Sequence, residues 1–261
     1  MESVGVIGVG EIGRAIVEGL CEGGDGRAPE VFLSPRGAAT AAGLAERHGN
    51  VRVCAGNQEV VDRAGLVIVA VRPAQRHEAL SGLRVPPDRI VVNVMAGVGT
   101  AELRGLLATE AALVRAIPLP PVRERASVTV TCPPHPAVDA FFGRLGGALP
   151  VEDEAIFDVF SALTATLTTH YRYLVTLSEW AAGHGVPAAQ AERYVRGLFH
   201  DVGRSLADGT RSLHRLAADH ETPNGSNERI RTTWFGPANA AALTKALDDL
   251  LADLGRPGPS R

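Results

Sequence analysis

The sequence predicts an α/β chain whose first half is a doubly wound, mostly parallel sheet and whose second half is entirely helical. Three observations carry that expectation. Short β-branched runs alternate with helix-compatible segments from Val4 to about Thr131. The run Leu66-Val-Ile-Val-Ala-Val71 is apolar without alternation, as a strand covered by helices on both faces must be. Beyond Pro150 the spacing of apolar residues lengthens to a period of about 3.6.

In chain order, strands are expected at Val4–Ile7, Val31–Leu33, Val51–Val53, Leu66–Val71, Ile90–Val94, Leu113–Ile117 and Ser127–Thr131. Helices are expected between them at Ile12–Cys21, Ala38–His48 and Ala101–Leu107. In the second half one apolar stripe runs through Ile156, Phe157, Phe160, Leu163 and Leu167, and the next through Tyr173, Leu174, Leu177, Trp180 and Ala181. The longest stripe, Ala191, Tyr194, Leu198, Val202 and Leu206, is stopped by Asp208-Gly209. The last, Leu243, Leu247, Leu250 and Leu254, opens at Pro237, and proline suits the first turn of a helix. The expected organisation is therefore a nucleotide-type domain over residues 1–151, a helical domain over 152–254 and a disordered tail over 255–261. Between the last two stripes, Glu221-Thr-Pro-Asn-Gly-Ser-Asn-Glu228 is a turn-rich interruption, and such a loop on a helical scaffold suits a ligand.

Composition excludes several classes. With 261 residues, 45% hydrophobic and 21% charged, the chain has enough apolar material for a core and does not resemble a disordered sequence. Lys and Arg total 26 against 29 Asp and Glu, so a net charge of −3 offers no basic field for a nucleic-acid backbone. No uncharged run reaches the ~18–20 residues that cross a bilayer, and Met-Glu-Ser is not a basic leader. Cys21, Cys54 and Cys132 are odd in number and far apart, which fits a reducing cytoplasm and gives no zinc pair. Cys132-Pro-Pro-His135 and the group His214, His220 and Glu221 lack metal-ligand spacing, so no metal is expected.

Gly8-Val9-Gly10-Glu11-Ile12-Gly13 follows an expected strand and opens an expected helix. In this pattern the first glycine turns tightly, the second lets backbone approach a pyrophosphate, and the third packs helix against strand. The helix start then presents N–H groups to phosphate, giving a Rossmann-like dinucleotide site. The second strand ends Leu33-Ser34-Pro35-Arg36 without the acid that usually reads a ribose 2′-hydroxyl. Ser34 and Arg36 suit a 2′-phosphate instead, so NADP(H) is the expected cofactor.

At this point the sequence resembles the pyrroline-5-carboxylate reductase family. The resemblance rests on Val4-Gly-Val-Ile-Gly-Val-Gly10, Asn57-Gln-Glu-Val-Val61, Ala70-Val71-Arg72-Pro73 and Ala96-Gly97-Val98, in that order and spacing over roughly residues 4–120. It implies NADPH-dependent reduction of a cyclic imino acid such as 1-pyrroline-5-carboxylate to proline, and a homodimer built through the helical domain. It also implies that Asn57 lies near the adenosine end, and that Val71, Pro73, Ala96 and Gly97 flank the nicotinamide side. Taken from the residues alone, Asn57 reads equally well as a helix N-cap.

The second half departs from the family's substrate motifs. Ile117-Pro-Leu-Pro-Pro121 replaces Met-Pro-Asn-Thr-Pro, and Thr164-Ala-Thr-Leu-Thr168-Thr-His170 stands where a glycine-rich turn is expected. Glu221–Asn227 keeps the frame of a Thr-Ser-Pro-Gly-Gly-Thr-Thr loop with Asn227 at the position next to the imine. Asn224, Gly225, Ser226 and Asn227 are thus expected to bind the substrate, with Gly225 as pivot and its neighbours' N–H groups forming a carboxylate nest. Asn227 orients, and Thr168 and Tyr171, beside His170 and Tyr173, are candidate proton sources. Trp180 and Trp234 read as packing residues. Two other functions stay open: reduction of C=O in another small acid, disfavoured because Lys245, the only lysine, lies on the last helix, and a non-catalytic NADP-binding sensor.

Overall fold

The computed structural model describes residues 3–22 and 28–254; the tail expected at 255–261 lies outside the described residues. Eight strands form one sheet: β1 (Ser3–Ile7), β2 (Glu30–Leu33), β3 (Val51–Val53), β4 (Leu66–Val69), β5 (Ile90–Asn93), β6 (Ala112–Ile117), β7 (Thr129–Cys132) and β8 (Ala148–Pro150). Their spatial order is β3-β2-β1-β4-β5-β6-β7-β8, and every neighbouring pair is parallel except β6 with β7. The helices between them are α1 (Glu11–Cys21), α2 (Ala38–Arg47), α3 (Asn57–Arg63), α4 (Arg76–Leu80), α5 (Thr100–Leu107) and α6 (Pro136–Gly143). The doubly wound class is as expected. The reversal of order at β1, between β2 and β4, opens the crevice where such sheets hold ligands.

Alternation along the strands divides the core into two layers. Val4 and Val6 of β1, with Leu66 and Ile68 of β4, face Ile16 and Leu20 of α1, Leu44 of α2 and Phe142 of α6. On the opposite face Ile7, Val67 and Val69 meet Val60 and Val61 of α3, Leu80 of α4 and Leu103 of α5. Full burial stabilises by about 1.5–3 kcal/mol per large aliphatic side chain, which makes these layers the main cohesive element. Helix α6 and strand β8 escaped the sequence reading, although His135-Pro136 marks the helix start: His135 caps it with ring Nδ1, and Pro136 is its first residue.

The described residues divide into two compact units, the first running to Ser161 and the second beginning at Ala162. The first unit runs beyond the boundary expected near residue 151 because α7 (Glu154–Thr164) docks much of its length on the sheet. Phe157 packs with Val130 and Cys132. Arg115, buried on β6, lies 4.3 Å over the Phe157 ring and reaches Asp158 at 3.0 Å and Glu154 at 3.4 Å.

The second unit contains α8 (Thr166–Gly183), α9 (Ala188–Ser205), α10 (Leu213–Asp219), α11 (Ser226–Thr233) and α12 (Pro237–Leu254). The apolar stripe read as continuous through Leu167 is interrupted at Ala165, between α7 and α8. Tyr173 of α8 stacks on Trp234 at 5.2 Å and meets Phe199 of α9 edge-on at 5.6 Å. No described helix is long and apolar enough to cross a membrane.

Candidate functional site: a dinucleotide cleft

A cleft of about 480 Å³ opens at the carboxyl ends of the central strands. Its wall brings together Gly8, Val9, Gly10, Ser34, Arg36, Asn57 and Val71, residues scattered over the first third of the chain. Gly8 adopts φ +99°, and a Cβ there would fall 2.7 Å from the backbone carbonyl of Ala70. A Cβ on Gly13 would come within 2.2 Å of the Gly8 oxygen, so that glycine lets α1 press against the turn. Gly10 is different. Its missing Cβ would project into open space, and it caps α1 without a side-chain hydrogen bond. Behind it, Glu11, Ile12 and Gly13 form the first turn, whose N–H groups have no intrahelical acceptor. An open backbone cradle before a helix start fits a pyrophosphate, so the residues present suit a dinucleotide.

The adenosine end differs in detail from the sequence expectation. Ser34 is buried, and its Oγ accepts the Gly8 N–H at 2.9 Å. Its first task is therefore to hold the glycine turn, which leaves only the hydroxyl proton for a phosphate. Asn57 does not cap α3, whose N-cap is Gly56; its amide donates to the Ala79 carbonyl at 2.8 Å and ties α3 to α4. Arg36, in the turn before α2, reaches Glu78 of α4 at 2.7 Å, a partner the sequence reading missed because it lies 42 positions away. Pro73 begins a short 3₁₀ turn, and Ala96 and Gly97 form an exposed turn; none of the three lines this cleft. Asn93, also missed, shapes the latter turn from beneath: it donates to the Val98 carbonyl and accepts from Met95 N–H, both within 2.9 Å. A lone asparagine ending an otherwise apolar strand was the available signal.

In the second unit the turn-rich segment is shorter than expected, because Ser226, Asn227 and Glu228 already belong to α11. Gly225 does not pivot through positive φ; at φ −79° it is the N-cap, and the left-handed residue is Asn224 at φ +61°. Gly225 is needed for another reason: a Cβ there would sit 2.3 Å from Thr222 Oγ1. The Asn224 N–H that was to help form a carboxylate nest donates to Glu228 Oε2 at 2.6 Å, so an internal carboxylate takes one nest donor. Asn227 Nδ2 donates to the His220 carbonyl at 2.6 Å, closing the loop. Arg231 clamps the loop base through both oxygens of Glu221, and that hydrogen bonding holds the Glu221 carboxyl below its ordinary range. His220 Nδ1 lies 2.9 Å from the Leu216 carbonyl. Thr168 and Tyr171 lie one turn apart on α8, both exposed. Burial pushes the Cys54 and Cys132 thiols up, so neither is a ready nucleophile.

Fold and cleft together define a doubly wound α/β protein with a cleft suited to a dinucleotide, and the comparisons with known proteins narrow the class. Residues 3–97 match the family model described as NADP oxidoreductase coenzyme F420-dependent. The pyrroline-5-carboxylate reductase of Escherichia coli (strain K12) is 25% identical over 95% of this chain and 96% of its own length. Among solved structures, a pyrroline-5-carboxylate reductase from Coxiella burnetii superposes with a TM-score of 0.79 at 21% identity, covering 96% of both chains. The pyrroline carboxylate reductase of Plasmodium falciparum, solved with NADP bound, gives 0.78 at 13% identity over 97% of both. The chain is thus similar to pyrroline-5-carboxylate reductases over nearly its whole length, and it shares their fold.

Proposed function

We propose that this chain is an NADPH-dependent oxidoreductase that reduces the C=N bond of a small cyclic imine, with 1-pyrroline-5-carboxylate, reduced to proline, as the first candidate. The observation that carries this reading is the open cradle at Gly10, set between a left-handed Gly8 and the uncapped start of α1. When bound, the dinucleotide supplies a hydride to the imine carbon, and a proton to the nitrogen completes the amine. The first turn of α1 would hold the pyrophosphate, with Arg36 and Ser34 at the adenosine end. Val71, Pro73, Ala96 and Gly97 would flank the nicotinamide.

On the substrate side, Asn224, Gly225, Ser226 and Asn227 remain the proposed contacts. Asn227 commits its amide nitrogen to His220, which leaves Oδ1 as the acceptor for an iminium N–H. Thr168 and Tyr171 are the proposed proton sources, directly or through water. A homodimer is part of the proposal, supported by exposed apolar side chains on the helical unit, including Leu198 and Tyr194. The three separated free thiols suit a reducing cytoplasm.

The test is a steady-state assay of NADPH oxidation with 1-pyrroline-5-carboxylate, 1-pyrroline-2-carboxylate and piperideine carboxylates, run beside small 2-oxoacids. Turnover of an imine is expected. Turnover of oxoacids alone would replace the reading with C=O reduction, and binding of NADPH without any turnover would make the chain a sensor.

A further inference from the structure

The cleft holds an acid as well as the arginine expected to meet a phosphate. Its adenosine end presents Arg36, Arg72 and Glu78 around Gln75. Arg76, next along α4, is already engaged with Glu102 and the Pro73 carbonyl and does not join them. The Arg72 side chain has no ion-pair or hydrogen-bond partner among the described residues. Arg36 does have one: its Nη1 lies 2.7 Å from Glu78 Oε2, across the cleft from the β2–α2 turn to α4.

That pairing sets a 2′-phosphate and a 2′-hydroxyl against different surroundings. A phosphate dianion approaching the Arg36 fork must displace Glu78 or share the guanidinium with it, and in either case it stands beside a like charge. A ribose hydroxyl meets Glu78 as a hydrogen-bond donor meets an acceptor, the relation an acid normally provides in NAD enzymes. One carboxylate therefore penalises the phosphate and tolerates the hydroxyl. Both side chains are more than half exposed, so screening limits the effect to a modest factor.

We propose that Glu78 is a specificity-determining residue of the cofactor cleft: by pairing with Arg36 it restrains the preference for NADPH over NADH. The proposal rests on the nucleotide reading given above.

The experiment titrates NADPH and NADH against the full chain and its Glu78→Gln variant by nucleotide fluorescence at fixed ionic strength. Adenosine 2′,5′-bisphosphate and AMP serve as competing probes of the adenosine end alone. Glu78→Gln is expected to raise the NADPH-over-NADH affinity ratio about tenfold, or about 1.4 kcal/mol, and the bisphosphate should gain while AMP stays within twofold. Melting temperature should not move, since the pair is on the surface; if it does, Glu78→Ala supplies the second comparison. A ratio unchanged within twofold in both variants overturns the proposal, making the pair a surface contact. A fall in the ratio also overturns it, because Glu78 would then be holding Arg36 in place for the phosphate. A wild-type chain that binds neither nucleotide would remove the cofactor reading itself, and this proposal with it.

Discussion

The two units place their apolar residues in opposite ways. In the α/β unit the aliphatic side chains of β1 and β4 are almost wholly enclosed, with Val4, Val6 and Ile68 at 0% exposure. In the helical unit most of the expected longest stripe lies open: Tyr194 is 73% exposed, Leu206 57% and Leu198 46%, while Ala191, its first member, and Val195 are buried. A sheet with a helix layer on each face closes its own core within one chain. An array of helices bearing more apolar surface than it can cover needs another surface, and the proposed homodimer would supply it.

The greatest expected effect lies in the closed unit. Gly13→Ala forces a Cβ to within 2.2 Å of the Gly8 carbonyl oxygen, so the turn or the helix must shift. A loss of about 3 kcal/mol or more is expected in urea unfolding, together with at least a hundredfold weaker NADPH binding. Wild-type stability in this variant would mean that the glycine turn is looser than the sheet around it.

Next in size is Leu198→Glu on α9. In the isolated chain a half-exposed leucine can be exchanged within about 0.5 kcal/mol, but beneath a partner the same change buries an unpaired charge and costs roughly 2–4 kcal/mol. Light scattering at micromolar concentration should show wild-type dimers and variant monomers. Monomers in both would leave the helical surface without the partner proposed for it.

A third test uses acid to sharpen the contrast. Glu18 on α1 is 3% exposed and lies among Arg14, Arg47 and, at 4.0 Å, Arg123. Burial pushes its carboxyl up, but hydrogen bonds and charge from Arg14 and Arg47 outweigh this and hold it below its ordinary value of 4.5. A carboxyl depressed by folding contributes stability that is fully present above the unfolded value and is lost as pH falls through the folded one. Glu18→Gln should cost about 1.5–3 kcal/mol at pH 7, with the gap to wild type narrowing below pH 4.5. A gap independent of pH would show that the arginines respond to shape and not to charge.

The smallest expected effect is the most discriminating. Gly197, on the exposed side of α9, has open space where a Cβ would stand. In a lone helix Gly197→Ala should stabilise by about 0.5–1 kcal/mol. If a second chain packs there, the methyl meets it and the sign reverses, so thermal unfolding above and below the dimer dissociation concentration distinguishes the two.

What could be read from the sequence follows the same division. Strand positions in the α/β unit were legible because burial on both faces imposes continuous apolar runs such as Leu66–Val69, and the glycine turn because its three positions have separate steric reasons. Ser34 was assigned to phosphate because a hydroxyl at a strand end is visible in sequence, whereas its bond to Gly8 depends on how β2 sits beside β1. Glu78 meets Arg36 across the cleft, and no local pattern announces such a partner, whereas Asn93 was marked only by being the polar end of an apolar strand. In the helical unit the periodicity located α8, α9 and α12 but missed the short α10 and α11, and with them the exact loop. Gly225 marked a backbone constraint correctly, but the constraint is its approach to Thr222, and the left-handed position passed to Asn224.

The sheet's two borders bear on how copies of this chain meet at the concentrations of synthesis and storage. Both outermost strands, β3 and β8, are only three residues long; β3 carries Arg52 at its centre and β8 ends in Pro150, which has no N–H to offer. A neighbouring molecule finds almost no backbone ladder to extend, so fibrous growth by strand addition is closed off at both borders. Strand addition thus offers the α/β half little route to self-association, and the dimer proposed above would draw on the helical faces instead.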